Sequence, residues 1–245
     1  MKPDHTSLSN PTAAAAAGTP GQVLVWDLPV RVFHWLLVIC FAGAWLTAES
    51  ERWHLAHITL GYTMAGLVAF RLVWGLIGSR HARFSAFVRT PAAAWCYLRS
   101  LFSATPEHPL GHNPAGALAI VGLLALIALT TATGWANEVD LAGDWLEEVH
   151  ELAANGLMAL VLVHLVGVAV GSLMHRENLV RSMITGRKRG PASEGLTRSW
   201  RWLGVLLLAA VMGFWTLQWQ SAPQPDTAAR SAQSAQAGGG HDDDD

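Results

Sequence analysis

The stretch that decides the fold covers residues 149–173 and reads VHELAANGLMALVLVHLVGVAVGSL. It holds a single acid, Glu151, and no lysine or arginine. A helix needs about 20 mostly apolar residues to cross the hydrocarbon core of a bilayer, and this stretch is long enough. The sequence therefore predicts a transmembrane helix that carries two histidines, His150 and His164, at different depths.

Four further stretches have the same apolar character, at residues 30–48, 57–77, 114–135 and 201–219. Over the whole chain 51% of residues are hydrophobic and 14% are charged, whereas a soluble domain carries about 25% charged residues. The charged residues are crowded into the connections between the apolar stretches. We therefore expect an all-α integral membrane protein, with a four-helix transmembrane bundle followed by a fifth, C-terminal transmembrane helix.

The charges of the connections predict the orientation of these helices. Residues 79–112 hold four arginines and residues 174–201 hold seven basic residues, whereas residues 136–148 hold five acids and no lysine or arginine. Lysine and arginine are enriched in cytoplasmic connections. We expect a multi-pass protein of a bacterial inner (plasma) membrane, with a cytoplasmic N-terminus and a periplasmic C-terminal tail.

The other segments divide the chain further. We expect residues 1–22 to form a disordered cytoplasmic tail and residues 220–245, which end in four aspartates, to form a disordered acidic outer tail. Residues 23–190 would then form the bundle, and residues 191–219 the fifth helix with its basic lead-in. Aromatic residues recur among the arginines of residues 79–112, which predicts an amphipathic helix at the cytoplasmic surface.

Some classes of site and partner are excluded at this point. The formal net charge is −2, which does not suggest a nucleic-acid partner. The chain has two cysteines, too few for a disulfide framework. It contains no Cys-x-x-Cys-His motif, so it attaches no c-type haem.

Four histidines lie in or at the ends of the apolar stretches: His34, His57, His150 and His164. An ionisable residue at membrane depth is costly and therefore indicates a function. Neutral imidazole is a usual axial ligand of haem iron. His150 and His164 are 14 residues apart, which places them on nearly one face of a helix and about 21 Å apart along its axis.

The four histidines form two pairs, and the members of each pair lie at the same depth in the membrane. His57 opens the second span at the outer surface, the depth of His150, whereas His34 lies about 20 Å inward from the outer end of the first span, the depth of His164. We predict an outer haem held by His57 and His150 and an inner haem held by His34 and His164. His54, on the same helical face as His57, is an alternative outer ligand. A role as interfacial caps or pore-lining residues is the alternative for all of them.

Two arginines lie near these histidines. Arg31 precedes His34 by one turn, and Arg71 lies inside the second span near its cytoplasmic end. A guanidinium at that depth requires an anionic partner, and a haem propionate is one. We name both as candidate cofactor-binding residues, with snorkelling to the lipid headgroups as the alternative. Asp27, followed by Pro29, suits the start of the first helix.

Several motifs resemble one family, the bacterial cytochrome b561 proteins together with the b-type cytochrome subunits of nickel hydrogenases. These motifs are WDLPVRVFHW at residues 26–35, His57 followed by Gly61-Tyr62, FRLVWG at residues 70–75, GHNPAG at residues 111–116, and EVHE at residues 148–151 followed by His164. The resemblance covers about residues 23–190 and implies a di-haem cytochrome b domain. It implies two b haems whose ligands come from the first, second and fourth helices. Carried over to this chain, those ligands are His34, His57, His150 and His164.

The resemblance also implies a function. We expect a di-haem carrier of electrons across the membrane, between the quinone pool and a redox partner protein, with a quinone as a further bound cofactor. The expected partners, besides membrane lipid, are a periplasmic c-type cytochrome or other redox protein, or a hydrogenase-like enzyme. The alternatives are a membrane anchor and electron-transfer subunit of a hydrogenase or dehydrogenase complex, and a haem-free proton-coupled transporter. Oxidoreductase activity toward quinone or superoxide stays open.

Overall fold

The computed structural model of the chain describes residues 21–221 except residues 89, 101–113, 142 and 175. The elements, in chain order, are strand β1 (Gly21–Leu24), α1 (Leu28–Thr47), α2 (His54–Ile77), α3 (Phe84–Phe87), α4 (Pro91–Ser100), α5 (Pro114–Glu138), α6 (Trp145–Met174), α7 (Leu179–Thr185), strand β2 (Arg187–Gly190) and α8 (Arg201–Ser221). Single 3-10 turns lie at Glu51–Trp53 and Ala192–Glu194.

Five of these helices, α1, α2, α5, α6 and α8, are long and apolar enough to cross a membrane. They coincide with the five predicted spans, so the predicted all-α membrane bundle is confirmed. The long helices lie side by side in the order α8, α1, α2, α5, α6. Helix α6 packs mainly against α5.

An apolar core fills the middle of the bundle. Its buried members come from all five long helices: Phe33, Leu36, Cys40, Met64, Leu67, Val68, Leu124, Ile127, Leu157 and Val211. Leu157 on α6 is only 1% exposed, and it lies midway in sequence between His150 and His164. The packed core therefore separates the two levels at which the histidines lie.

The start of α1 is fixed by Asp27. One carboxylate oxygen of Asp27 accepts a hydrogen bond from the backbone N–H of Val30 at 2.9 Å, the usual bond of an N-cap residue. The other oxygen accepts from the indole N–H of Trp74, near the end of α2, at 3.1 Å. Asp27 is completely buried. Beyond starting a helix, as the sequence predicts, this carboxylate also joins α1 to α2.

The segments that flank the bundle at this end fold into a small two-stranded sheet. Strand β1 pairs antiparallel with β2, with Gly21 opposite Gly190. The carbonyl of Gly186 accepts hydrogen bonds from the backbone N–H groups of Val25 and Trp26, at 2.8 and 3.0 Å. Gly186 ends α7 with a φ of 79°, and a Cβ there would lie 2.6 Å from the carbonyl oxygen of Trp26, so only glycine fits.

The sequence analysis did not predict this sheet. It drew one boundary between residues 22 and 23 and another between residues 190 and 191, and the paired strands reach across the first and end at the second. The rest of the predicted tails, at residues 1–20 and 222–245, lies outside the described residues.

The connection 79–112 also differs from the prediction. In place of one amphipathic helix, its described part contains the short α3 and then α4, with Val88 extended between them. The residue before a proline is disfavoured in the helical conformation, and Thr90 precedes Pro91, which begins α4. Residues 101–113 lie outside the part of the chain that the structure describes.

Replacing Asp27 by alanine removes the acceptor of both buried hydrogen bonds. We expect Asp27→Ala to lower the free energy of unfolding by about 2 kcal/mol, because a cap is lost and the Trp74 indole is left unpaired. Thermal unfolding in detergent, followed by circular dichroism, measures the change. Asp27→Asn retains the capping oxygen and should lose less. Equal melting temperatures for Asp27→Ala and the wild type would contradict this role.

Candidate haem-binding sites

The end of the bundle at residues 49–56 and 136–148 is called the acidic end here, and the end at residues 79–112 and 174–201 the basic end. At the acidic end, the rings of His57 on α2 and His150 on α6 lie next to each other, with their centres 6.3 Å apart and their planes at 69°. Imidazole nitrogens bind metal ions at about 2 Å, so two rings with centres about 6 Å apart are close enough for both to hold one ion. The observed separation therefore fits an iron ion shared by the two rings.

Main-chain carbonyls fix which ring nitrogen of each histidine is free. The Nδ1 atom of His57 lies 2.9 Å from the carbonyl oxygen of Ala44, and the Nδ1 atom of His150 lies 2.9 Å from that of Thr130. Since a carbonyl only accepts, Nδ1 carries the proton in each ring and Nε2 keeps its lone pair. Metal-binding histidines are usually held by such a bond on the second nitrogen.

Helix α5 positions the His150 ring. Thr130, Thr133 and Gly134 lie on one face of α5, at the i, i+3 and i+4 spacing of helical neighbours. The Thr133 hydroxyl lies 3.3 Å from Nδ1 of His150. A Cβ on Gly134 would lie 2.8 Å from Cε1 of the same ring. The sequence analysis missed these three residues, although their spacing in the third span is a signal that could have found them.

A cavity of ≈ 720 Å³ surrounds the two rings and is lined by α1, α2, α5 and α6. Its volume falls within the range of about 300–1,000 Å³ that is usual for cofactor pockets. Thr130 lines the cavity, and its hydroxyl oxygen is buried without a hydrogen-bond partner among the described residues. Space, two free Nε2 atoms and an unpaired hydroxyl together fit a bound haem.

His54, the alternative outer ligand, has a different environment. Its side chain is 63% exposed, and its Nε2 atom lies 3.6 Å from a carboxylate oxygen of Glu138. The structure thus brings His57 against His150 and places His54 at the edge of the same cavity.

His34 on α1 and His164 on α6 form the second set, at the level nearer the basic end. Both are partly buried. The Nδ1 atom of His34 is buried without a hydrogen-bond partner in the described part of the chain. Buried polar atoms are normally paired, so this nitrogen also fits a site that takes a further group.

The two candidate arginines lie at the basic end, near Asp27. Arg31 donates a hydrogen bond to the carbonyl oxygen of Ile184. Arg71 is only 3% exposed, and its guanidinium carbon lies 4.8 Å from the ring centre of Phe84. Arg71 therefore does not snorkel to the headgroups. Each arginine retains one buried nitrogen, Nε of Arg31 and Nη1 of Arg71, with no partner among the described residues.

Known proteins of one family are similar to this chain. The family model for prokaryotic cytochrome b561 matches residues 25–186. The chain is similar to a probable Ni/Fe-hydrogenase B-type cytochrome subunit of Azotobacter vinelandii, at 25% identity over 67% of this chain and 87% of the relative. A subunit of the same description from Rhodobacter capsulatus is 25% identical over 68% and 81%.

A further relative is the probable Ni/Fe-hydrogenase 1 B-type cytochrome subunit of Escherichia coli K12, 25% identical over 46% of this chain and 58% of the relative. No solved structure matches the chain. The family match covers more than half of the chain, including all four histidines that the structure places at two levels. The chain belongs to the prokaryotic cytochrome b561 family.

Proposed function

We propose that the chain is a di-haem b-type cytochrome that carries electrons across the membrane between the quinone pool and a redox partner protein. Membership of the family makes it a membrane electron-transfer protein that binds haem b. The observation that carries the proposal is the His57–His150 pair, with ring centres 6.3 Å apart. Bound haem supplies one-electron chemistry at its iron. The haem-free transporter has no support from these findings.

In the proposed arrangement Nε2 of His57 and of His150 would hold one haem at the acidic end. His34 and His164 would hold the second, at the level nearer the basic end. Helix α6 then contributes one ligand to each site, and the apolar core around Leu157 separates them. That core excludes water between the two sites.

Arg71 and Arg31 would stabilise the propionates of the second haem. Support comes from the buried nitrogen that each guanidinium keeps without a partner among the described residues. Asp27 lies near both arginines, and a buried carboxylate beside two cations limits the excess positive charge before a propionate binds.

A second candidate role is the membrane subunit of a hydrogenase. The relatives from Azotobacter vinelandii and Rhodobacter capsulatus are described as Ni/Fe-hydrogenase subunits. In this role the chain would anchor the enzyme and link it to the quinone pool. Co-purification of a hydrogenase with the tagged chain from its native membranes would favour this role, and its absence would favour a soluble redox partner.

Single histidine variants test the di-haem proposal. We expect His57→Ala and His150→Ala to lose the same haem, and His34→Ala and His164→Ala to lose the other, because each pair shares one iron. Reduced-minus-oxidised spectra, with haem content from pyridine haemochrome, measure the loss. The wild type should bind two haems per chain.

His54→Ala is the matched control for His57→Ala, since the two residues are one turn apart. We expect His54→Ala to retain both haems. The ligand assignment is wrong if His54→Ala loses a haem that His57→Ala keeps, or if all four ligand variants keep both.

Gly134→Ala tests whether α5 positions His150. The added Cβ would lie 2.8 Å from the His150 ring, so we expect this variant to bind the acidic-end haem about 10- to 100-fold more weakly. Gly66→Ala is the control, because a Cβ at Gly66 meets no atom within 4 Å. Haem titration of both variants provides the measurement. Identical titrations for Gly134→Ala and the wild type would show that α5 does not position the ring.

The charges at the two ends of the bundle predict its orientation in the membrane. We propose that the basic end faces the cytoplasm, because lysine and arginine are enriched there. Reporter fusions should give cytoplasmic activity after residue 190 and periplasmic activity after residue 140. The opposite pattern would reverse the proposed orientation and place the His57–His150 site inside.

A further inference from the structure

Acidic side chains surround the mouth of the cavity that contains His57 and His150. They come from three places: the segment after α1, the end of α5 with the connection that follows it, and the start of α6. We call this set the acidic rim, and its members are Glu49, Glu138, Asp140, Asp144, Glu147 and Glu151. All are exposed, and no lysine or arginine of the described residues lines the cavity.

Little positive charge offsets the acidic rim within the described part of the chain. Glu138 faces His54 at 3.6 Å, an ion pair only when that histidine is protonated. Arg52 is the one arginine in the described connections at this end, and its guanidinium carbon lies 5.7 Å from the ring centre of Trp53. Arg52 is not among the residues that line the cavity. The rim therefore presents a negative potential directly over the candidate haem site.

The rim does not have the form of a metal-ion site. Among the described residues, no group of three or more histidine, cysteine or acidic side chains is arranged to hold an ion. Exposed apolar side chains line the same cavity beside the rim, Trp135 at 50% and Leu141 at 64% exposure. An apolar centre inside a polar, charged border is the usual form of a protein–protein interface.

The cavity under the rim also contains a buried polar group that could bind a further molecule. Thr130 is 7% exposed, and its hydroxyl is buried without a partner among the described residues. The paired rings of His57 and His150 lie in the same cavity. A protein that contacts the rim would thus be held directly above a candidate redox cofactor.

We propose that the acidic rim is the docking surface for a soluble redox protein whose contacting face is rich in lysine and arginine. This inference rests on the proposed function, because it assigns a partner to the acidic-end haem. Opposite charges on the two faces would speed the encounter and orient the partner. All rim residues are exposed, so their contribution to binding is screened by salt.

The test measures binding, which does not require electron transfer. The full chain is reconstituted in nanodiscs of the zwitterionic lipid phosphatidylcholine, so that the bilayer adds no net charge. The probe is a small c-type cytochrome of high isoelectric point, and its dissociation constant is measured by biolayer interferometry at low and high salt. We expect affinity to fall at least about ten-fold between ~20 and ~200 mM salt.

Two double variants separate the rim from the general charge of this end. Asp140→Asn with Asp144→Asn removes two rim charges, and Glu51→Gln with Glu148→Gln removes two exposed charges that do not line the cavity. At low salt we expect the rim variant to raise the dissociation constant about three- to ten-fold. The control variant should stay within about two-fold of the wild type.

Equal losses in both variants, salt-independent binding, or equal binding of an acidic redox protein would overturn the docking inference. Haem content is recorded for every sample, which keeps the two proposals apart. A wild type that binds the cytochrome but contains no haem would refute the proposed function and leave the docking surface standing. A wild type that contains both haems, together with a rim variant that binds the cytochrome as tightly as the wild type, would support the proposed function and refute the docking surface.

Discussion

The rise of a single helix constrains the rest of this structure. His150 and His164 lie on one helix, α6, 14 residues apart, so about 21 Å of axis separates them whatever the neighbouring helices do. A histidine that shares a haem with His150 or with His164 must lie at the same level of the bundle as that residue. His57 does so from the first turns of α2, and His34 from the first half of α1. Leu157 lies between the levels and joins the apolar core.

In the proposed arrangement α6 would supply a ligand at both levels, and it does not pack mainly against α1 or α2, which bear the other two histidines. Helix α6 is held mainly by α5, which leaves space toward α2 for the cavity at His57. Helix α5 therefore positions the His150 ring. The carbonyl oxygen of Thr130 accepts a hydrogen bond from the ring, and Gly134 has no side chain that would collide with it. In the proposed site, α5 would position the ring of a ligand without supplying a ligand itself.

The sequence predicted the spans and the pairing of histidines by level, because hydropathy and helical rise act within single helices. It predicted His57 as the outer ligand but left His54 as an alternative, since the two share a helical face and differ in which neighbours they meet. The sequence also could not predict which carbonyl groups accept hydrogen bonds from the two histidine rings. Backbone acceptors carry no residue signature, so Ala44 and Thr130 are visible only in three dimensions.

The sheet at the basic end has a consequence for biosynthesis. Strand β1 lies before the first helix, yet its partner β2 follows α7. When α1 enters the membrane its N-terminal segment has nothing to pair with, and that partner leaves the ribosome only after α6 is complete. The contact between Gly21 and Gly190 is therefore among the last that the bundle can form. Until then the main packing partner of α1 is α2.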